Sequence, residues 1–120
     1  MQLETTTRND ALIVTALMPR IDAVIAIQFK DDMREVSMDG PARVVLDLTS
    51  VNFIDSSGLG AIVATMKLLA PDQSLELAAL SENVDKVFRL TRMDSVFAIH
   101  SDVEAAFTDA ETIIGIAHAS

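Results

Sequence analysis

No cysteine occurs among the 120 residues of this chain. Disulfide frameworks and thiolate metal sites are therefore excluded, and a reducing compartment is permitted. Tryptophan and tyrosine are also missing, and five phenylalanines are the only aromatic residues. A core must then be built mainly from Leu, Ile, Val, Met and Ala. Positive charge is scarce: nine Lys and Arg stand against 18 Asp and Glu, for a formal charge of −9. Such a surface repels phosphate backbones and anionic lipid. Neither nucleic acid nor a membrane is an expected partner, whereas a basic protein would be attracted. No apolar run exceeds roughly eight residues, well short of the ~20 that a membrane span needs. The opening stretch, MQLETTTRND, lacks an apolar segment and carries an acid at Glu4, which does not fit a secretory signal. The expected setting is the cytoplasm.

What is present suits one folded domain over residues 1–120. Half of the residues are hydrophobic, which argues against disorder, and the length is near the commonest domain size. Gln2 to Thr7 and Ala11 to Leu17 read as strands joined through the polar turn Arg8-Asn9-Asp10. Ile25, Phe29, Met33 and Val36 fall on one helical face, with Asp22 as the expected N-cap. Arg43 to Leu48 is apolar on both faces, as in a strand covered on both sides. Leu59, Ile62, Val63, Met66 and Leu69 mark a second helix, stopped at Pro71-Asp72. Leu75 to Leu80 reads as a strand, and Val84, Val87, Phe88 and Thr91 as a third helical face. Val96 to Ile99 reads as a last strand. Ser101 and Glu104 fit a capping box ahead of a helix carrying Val103, Ala106, Phe107, Ala110 and Ile114. The expected order is β-β-α-β-α-β-α-β-α, an α/β fold with a mixed, mostly parallel sheet of about five strands and four helices.

The stretch VNFIDSSGLG, from Val51 to Gly60, breaks an apolar run with an acid, two hydroxyls and a glycine. It sits where a strand hands over to a helix, a preferred place for sites in such folds. A serine hydrolase would need an elbow of the Gly-x-Ser-x-Gly type and a paired histidine. The elbow is missing, and nothing ties His100 or His118 to these serines. A nucleotide loop would need a Walker or Gly-x-Gly-x-x-Gly pattern, and neither is present. Helix capping by Asp55 or a serine, with Gly58 allowing a turn or a close approach, accounts for part of the pattern. Residue types alone leave capping and a functional role for the second hydroxyl both open. Met33 and Met66 lie on core stripes, while Met38 and Met93 sit near element ends. No metal-ligand spacing surrounds His100. No catalytic residue, cofactor or metal is expected.

The segment RVVLDLTSVNFIDSSGLGAIVATMKLL resembles the STAS domain of bacterial anti-sigma factor antagonists, with matching positions at Asp47, Asp55, Ser56, Ser57, Gly58 and Leu59. RIDA, at Arg20 to Ala23, and VFRLTRMDSVFAIHSDVEAAF, later in the chain, are similar to further segments of that family. Pro19 departs from the glycine often found before the RIDA segment. The resemblance implies partner switching without enzymatic activity. The second serine of the motif would be phosphorylated by a cognate anti-sigma factor that is also a serine-protein kinase of the histidine-kinase-like ATPase type. The unphosphorylated form would bind that kinase and free the sigma factor, and a serine phosphatase would reset the switch. Carried onto this chain, Ser57 is the acceptor and Ser56 the second candidate. Asp22, Asp55, Ser56, Ser57, Gly58 and Leu59 form the implied partner surface. The extent of the chain suggests a stand-alone regulator. Two other readings stay open: an accessory STAS subunit of a lipid transporter or signalling assembly, and a receiver-like domain phosphorylated on Asp47 or Asp55.

Overall fold

The structure is a computed structural model, and it describes residues 2–108. The chain opens with a hairpin, β1 (Leu3–Arg8) and β2 (Ala11–Ala16), antiparallel with Arg8 opposite Ala11. Asn9 and Asp10 close it at φ 49° and 63°. A two-residue turn with both φ positive matches the twist of paired strands, and Asn and Asp enter that region more readily than most residues. Strands β4 (Arg43–Asp47), β6 (Ser74–Ala78) and β7 (Ile99–His100) then add in parallel, giving the sheet order β1-β2-β4-β6-β7. The mixed, mostly parallel five-stranded sheet expected from the pattern is therefore present.

Strand alternation assigns the two faces. Leu12, Val14, Val44, Leu46, Leu75 and Leu77 point into the main core, beneath α1 (Ala26–Ser37), α2 (Ser56–Leu69) and α3 (Glu82–Leu90). The helices contribute Phe29, Met33, Ile62 and Phe88, all buried, and Phe88 meets Phe97 edge-to-face at 6.0 Å. Ala11, Ile13, Val45 and Ala78 point the other way, where Ala106 and Phe107 cover them from the helical residues 103–108. Polar groups fasten that cover. Arg8 forks onto Glu104 at 2.7 and 3.0 Å. Arg43 bonds the Glu76 carboxylate at 2.5 and 2.8 Å and also donates to the Ala106 carbonyl. Both guanidiniums lie over the Phe107 ring, at 4.6 and 5.0 Å. His100 completes the cluster with Nε2 2.7 Å from Glu76.

Four expectations are corrected. Asp22 does not cap α1. Its carboxylate accepts from Val24 N at 3.1 Å, closing a turn, and the helix begins four residues later behind Ile25, which makes no side-chain cap. The last strand is not Val96 to Ile99. A one-turn 3₁₀ helix over Met93–Ser95 delivers Phe97 into the core, and strand geometry starts only at Ile99. Ser101 and Glu104 form no capping box, because Asp102 accepts from Ala105 N at 2.7 Å while Glu104 turns to Arg8. The element order also gains two short strands, β3 (Arg20–Ile21) and β5 (Phe53–Ile54), which pair in parallel apart from the main sheet. Ala110 and Ile114 of the expected last helical stripe lie outside the described residues.

Candidate functional site

The site is built around one carboxylate. Asp55 leaves β5 in an extended conformation and caps α2: Oδ1 accepts from Gly58 N at 2.8 Å, and its carbonyl accepts from Leu59 N at 2.9 Å. This is ordinary N-capping by an acid favoured in that role. Its second oxygen does something more. Oδ2 accepts from Ala23 N at 3.1 Å, in the turn after β3. The Gly58 amide, opposed by slight desolvation and aided by Ala23, holds the Asp55 carboxyl below its usual range. One ionised group thus serves two loops.

Gly58 explains why those loops sit so close. A Cβ placed on it would fall 1.9 Å from the Ile21 carbonyl oxygen and 2.7 Å from its carbonyl carbon. Its φ is not positive, so the glycine is required by proximity and not by turn geometry. Gly58 is buried. Its part is to let the first turn of α2 lie against β3. Leu59 is half-buried and packs on the main core.

Asp22 directly precedes Ala23, whose amide this carboxylate takes. Besides closing the Val24 turn, its Oδ2 takes Arg20 Nε at 3.3 Å, and the Arg20 guanidinium covers the Phe53 ring at 4.1 Å. Arg20 and Phe53 are opposite each other in the β3–β5 pair, so the ion pair and the ring contact brace the same junction. Asp47 is spent on a different turn. Its Oδ1 accepts from Thr49 N at 3.0 Å and Thr49 Oγ1 at 2.5 Å, and Oδ2 takes Thr15 Oγ1 at 3.4 Å. It shapes the exit of β4 and ties it to β2.

Ser56 and Ser57 are exposed, and among the described residues neither hydroxyl makes a hydrogen bond. They differ in outlook. Ser57 lines a shallow groove between α1 and α2, together with Ala26, Ile27, Lys30, Gly60 and Ala61. Two large apolar side chains of this region stand in water: Ile27, 74% exposed, on this groove, and Val24, 89% exposed, at the edge of another hollow. A second, mostly apolar hollow of about 330 Å³ lies past the Asp22 turn, against Met18, Pro19 and Phe29. Val24, Ile27 and Lys30 were not singled out in the sequence. The signal was available: Ile27 is an apolar residue off the Ile25–Phe29–Met33 stripe, where a surface helix normally carries a polar one.

The result is a small mixed-sheet α/β domain whose candidate site is a braced loop at the carboxyl end of its strands. A sequence model of the STAS domain matches residues 2–106, and the chain belongs to the STAS domain family. The anti-sigma-B factor antagonist of Staphylococcus aureus is 24% identical over 105 residues, covering 87% of this chain and 96% of that protein. Among solved structures, an anti-sigma factor antagonist from Mycobacterium paratuberculosis superposes with a TM-score of 0.78 at 24% identity, over 89% of this chain and 91% of that one. The anti-sigma factor antagonist SpoIIAA in its unphosphorylated form gives a TM-score of 0.70 at 23% identity, over 92% of this chain and 96% of that one. Its phosphorylated form, from Bacillus, gives 0.63 at 17% identity, over 90% and 98%. These structural likenesses establish the fold. Among the described residues no helix is long and apolar enough to cross a membrane.

Proposed function

We propose that this protein is an anti-sigma factor antagonist that works by partner switching, with Ser57 as the phosphorylated residue. The observation that carries the reading is the free, exposed Ser57 hydroxyl on the first turn of α2, in a loop whose backbone is already braced by Asp55. The curated relative is named for the same role, and a phosphorylated form of SpoIIAA exists on this fold.

The partner is an anti-sigma factor that is also a serine-protein kinase of the histidine-kinase-like ATPase type. Ser57 Oγ takes the γ-phosphoryl group of ATP, ADP leaves, and the hydroxyl proton is lost to solvent or a base on the kinase. The domain supplies the hydroxyl and a docking face and does none of the chemistry. Unphosphorylated, the face formed by Asp22, Ser56, Ser57 and the exposed Val24 and Ile27 binds the kinase and releases the sigma factor. Phosphorylation adds about −1.5 to −2 charges. A helix N-terminus tolerates that charge, and Asp55 keeps the loop in place, so the fold stays as it is. The dianion acts outward, spoiling a fit that needs only about 1.4 kcal/mol of disruption per tenfold of affinity. A serine phosphatase restores the binding form.

Mass spectrometry after incubation with the candidate kinase and ATP tests the assignment. One phosphate on Ser57 is expected, and none on Ser57→Ala. Ser57→Ala should bind the kinase as the wild type does, and Ser57→Asp poorly. Phosphate on an aspartate alone, or equally tight binding by both variants, overturns the reading.

A further inference from the structure

We propose that Lys30 of α1 is the seat of the Ser57 phosphate: the phosphate lies across the α1–α2 groove and pairs with the Lys30 ammonium of the same chain. This rests on Ser57 being the phosphorylated residue.

Three observations converge. The first is placement. Ala26, Ile27 and Lys30 share one face of α1, and Ser57, Gly60, Ala61 and Ala64 share one face of α2, so the two stripes form the walls of a single groove. The α2 wall has only small side chains, and a Cβ added to Gly60 would meet nothing within 4 Å. The groove is therefore open where a phosphate on Ser57 would need room. Ser56 does not line it, which separates the two hydroxyls.

The second is the state of Lys30. It is half-buried, and among the described residues it makes no ion pair or hydrogen bond. Arg20, Arg43 and Arg89 each have a carboxylate partner, whereas Arg34, Lys67, Lys86 and Arg92 share the state of Lys30, and of these five only Lys30 lines the groove. Neighbouring Asp32 is occupied with Gln28 at 2.8 Å. A lysine stem lying along apolar surface keeps its charged head at the edge, here the edge of the groove that Ser57 closes.

The third is repulsion from the other side. The Asp55 carboxylate already takes the Gly58 amide at the start of α2 and the Ala23 amide beside it. A phosphate drawn toward the start of α2 would meet that anion. Turning across the groove exchanges a like charge for an unlike one, and Lys is an effective point-charge partner for phosphate. Seated there, the phosphate also covers the foot of Ile27. Release of a partner then comes from occupation of the groove as well as from added charge.

The test uses full-length protein carrying the phosphate on Ser57 from synthesis, so that no kinase is needed. Phosphorus NMR follows the second ionisation of the phosphate, ordinarily near pH 6. Pairing with Lys30 should lower its midpoint by roughly half a pH unit relative to Lys30→Met, given an exposed ion pair. Lys30→Arg should keep most of that shift, and added salt should shrink it. Equal midpoints in wild type and Lys30→Met, with both proteins folded by circular dichroism, overturn the proposal. The two readings fail separately. A lowered midpoint with no kinase-dependent phosphorylation leaves the pairing standing and removes the switch, and phosphorylation on Ser57 with an unshifted midpoint does the reverse.

Discussion

Two glycines of α2, Gly58 and Gly60, should answer the same substitution in opposite directions. In Gly58→Ala the new methyl would start 1.9 Å from the Ile21 carbonyl oxygen, far inside contact distance, and the obstructing atom is backbone. That backbone belongs to β3, held by its pairing with β5 and by the Asp55 amide at 3.4 Å. It cannot swing aside as a side-chain tip would. Overpacking of this kind costs about 1–3 kcal/mol or more, and alanine's better helix propensity returns at most about 1 kcal/mol. The net loss should be about 2 kcal/mol. Gly60→Ala meets no atom within 4 Å, so propensity acts alone and the variant should gain about 0.5–1 kcal/mol. The protein has no tryptophan or tyrosine, so urea unfolding is best followed by far-ultraviolet circular dichroism. With a slope of about 1–3 kcal/mol per molar urea, the Gly58→Ala midpoint should fall by about 1 M and the Gly60→Ala midpoint rise by a few tenths. Midpoints that move together, or a Gly58→Ala protein as stable as the parent, would refute the close approach of α2 to β3.

Asp55→Asn keeps an oxygen for Gly58 N but turns an amino group toward the Ala23 amide, so it should lower the urea midpoint at neutral pH. Because the folded carboxyl is held below its ordinary range, this stabilisation is full above that range and is lost as pH falls through the folded value. The gap between the two proteins should therefore close in acid, and a gap unchanged at the lowest pH would refute the ionic origin. For Glu76, burial pushes the carboxyl up, but the hydrogen bonds from Arg43 and His100 outweigh it and hold it low. Glu76→Gln should cost about 1–2 kcal/mol at neutral pH, again with the difference vanishing in acid, as measured by urea midpoints across pH. Ile27→Glu should leave stability within about 0.5 kcal/mol yet weaken binding of the proposed kinase partner at least tenfold by calorimetry. Undiminished affinity would remove α1 from the docking face.

Regular elements were legible because their signals are local and repeated. The Ile25–Phe29–Met33 stripe of α1 and the Leu59–Ile62–Met66 stripe of α2 each repeat the helical period over several turns, and both occur as read. The strands β4 and β6 were readable from short apolar runs bounded by turn residues. Strands β3 and β5 were not, because a two-residue strand has no period and is defined only by its partner across the fold. Asp22 was read as a cap since an acid stood before an apolar stripe, yet its carboxylate closes the Val24 turn and the helix waits until Ala26. Asp55 and Ser57 were found as a motif, but the second bond of Asp55, to Ala23, spans segments that nothing in the local sequence connects. The same holds for Gly58 against Ile21 and for Arg43 reaching from the sheet to Glu76 and the helix beyond.

The double anchorage of Asp55 bears on how such a surface can diversify. Because one carboxylate fixes both the Ala23 turn and the start of α2, neither loop can be lengthened without unfastening the other. Variation of this surface must then come from exchanging side chains, with Val24 and Ile27 two exposed places to do so. Domains of this build can then differ in what they present while keeping nearly identical backbones, set apart by a few protruding residues alone.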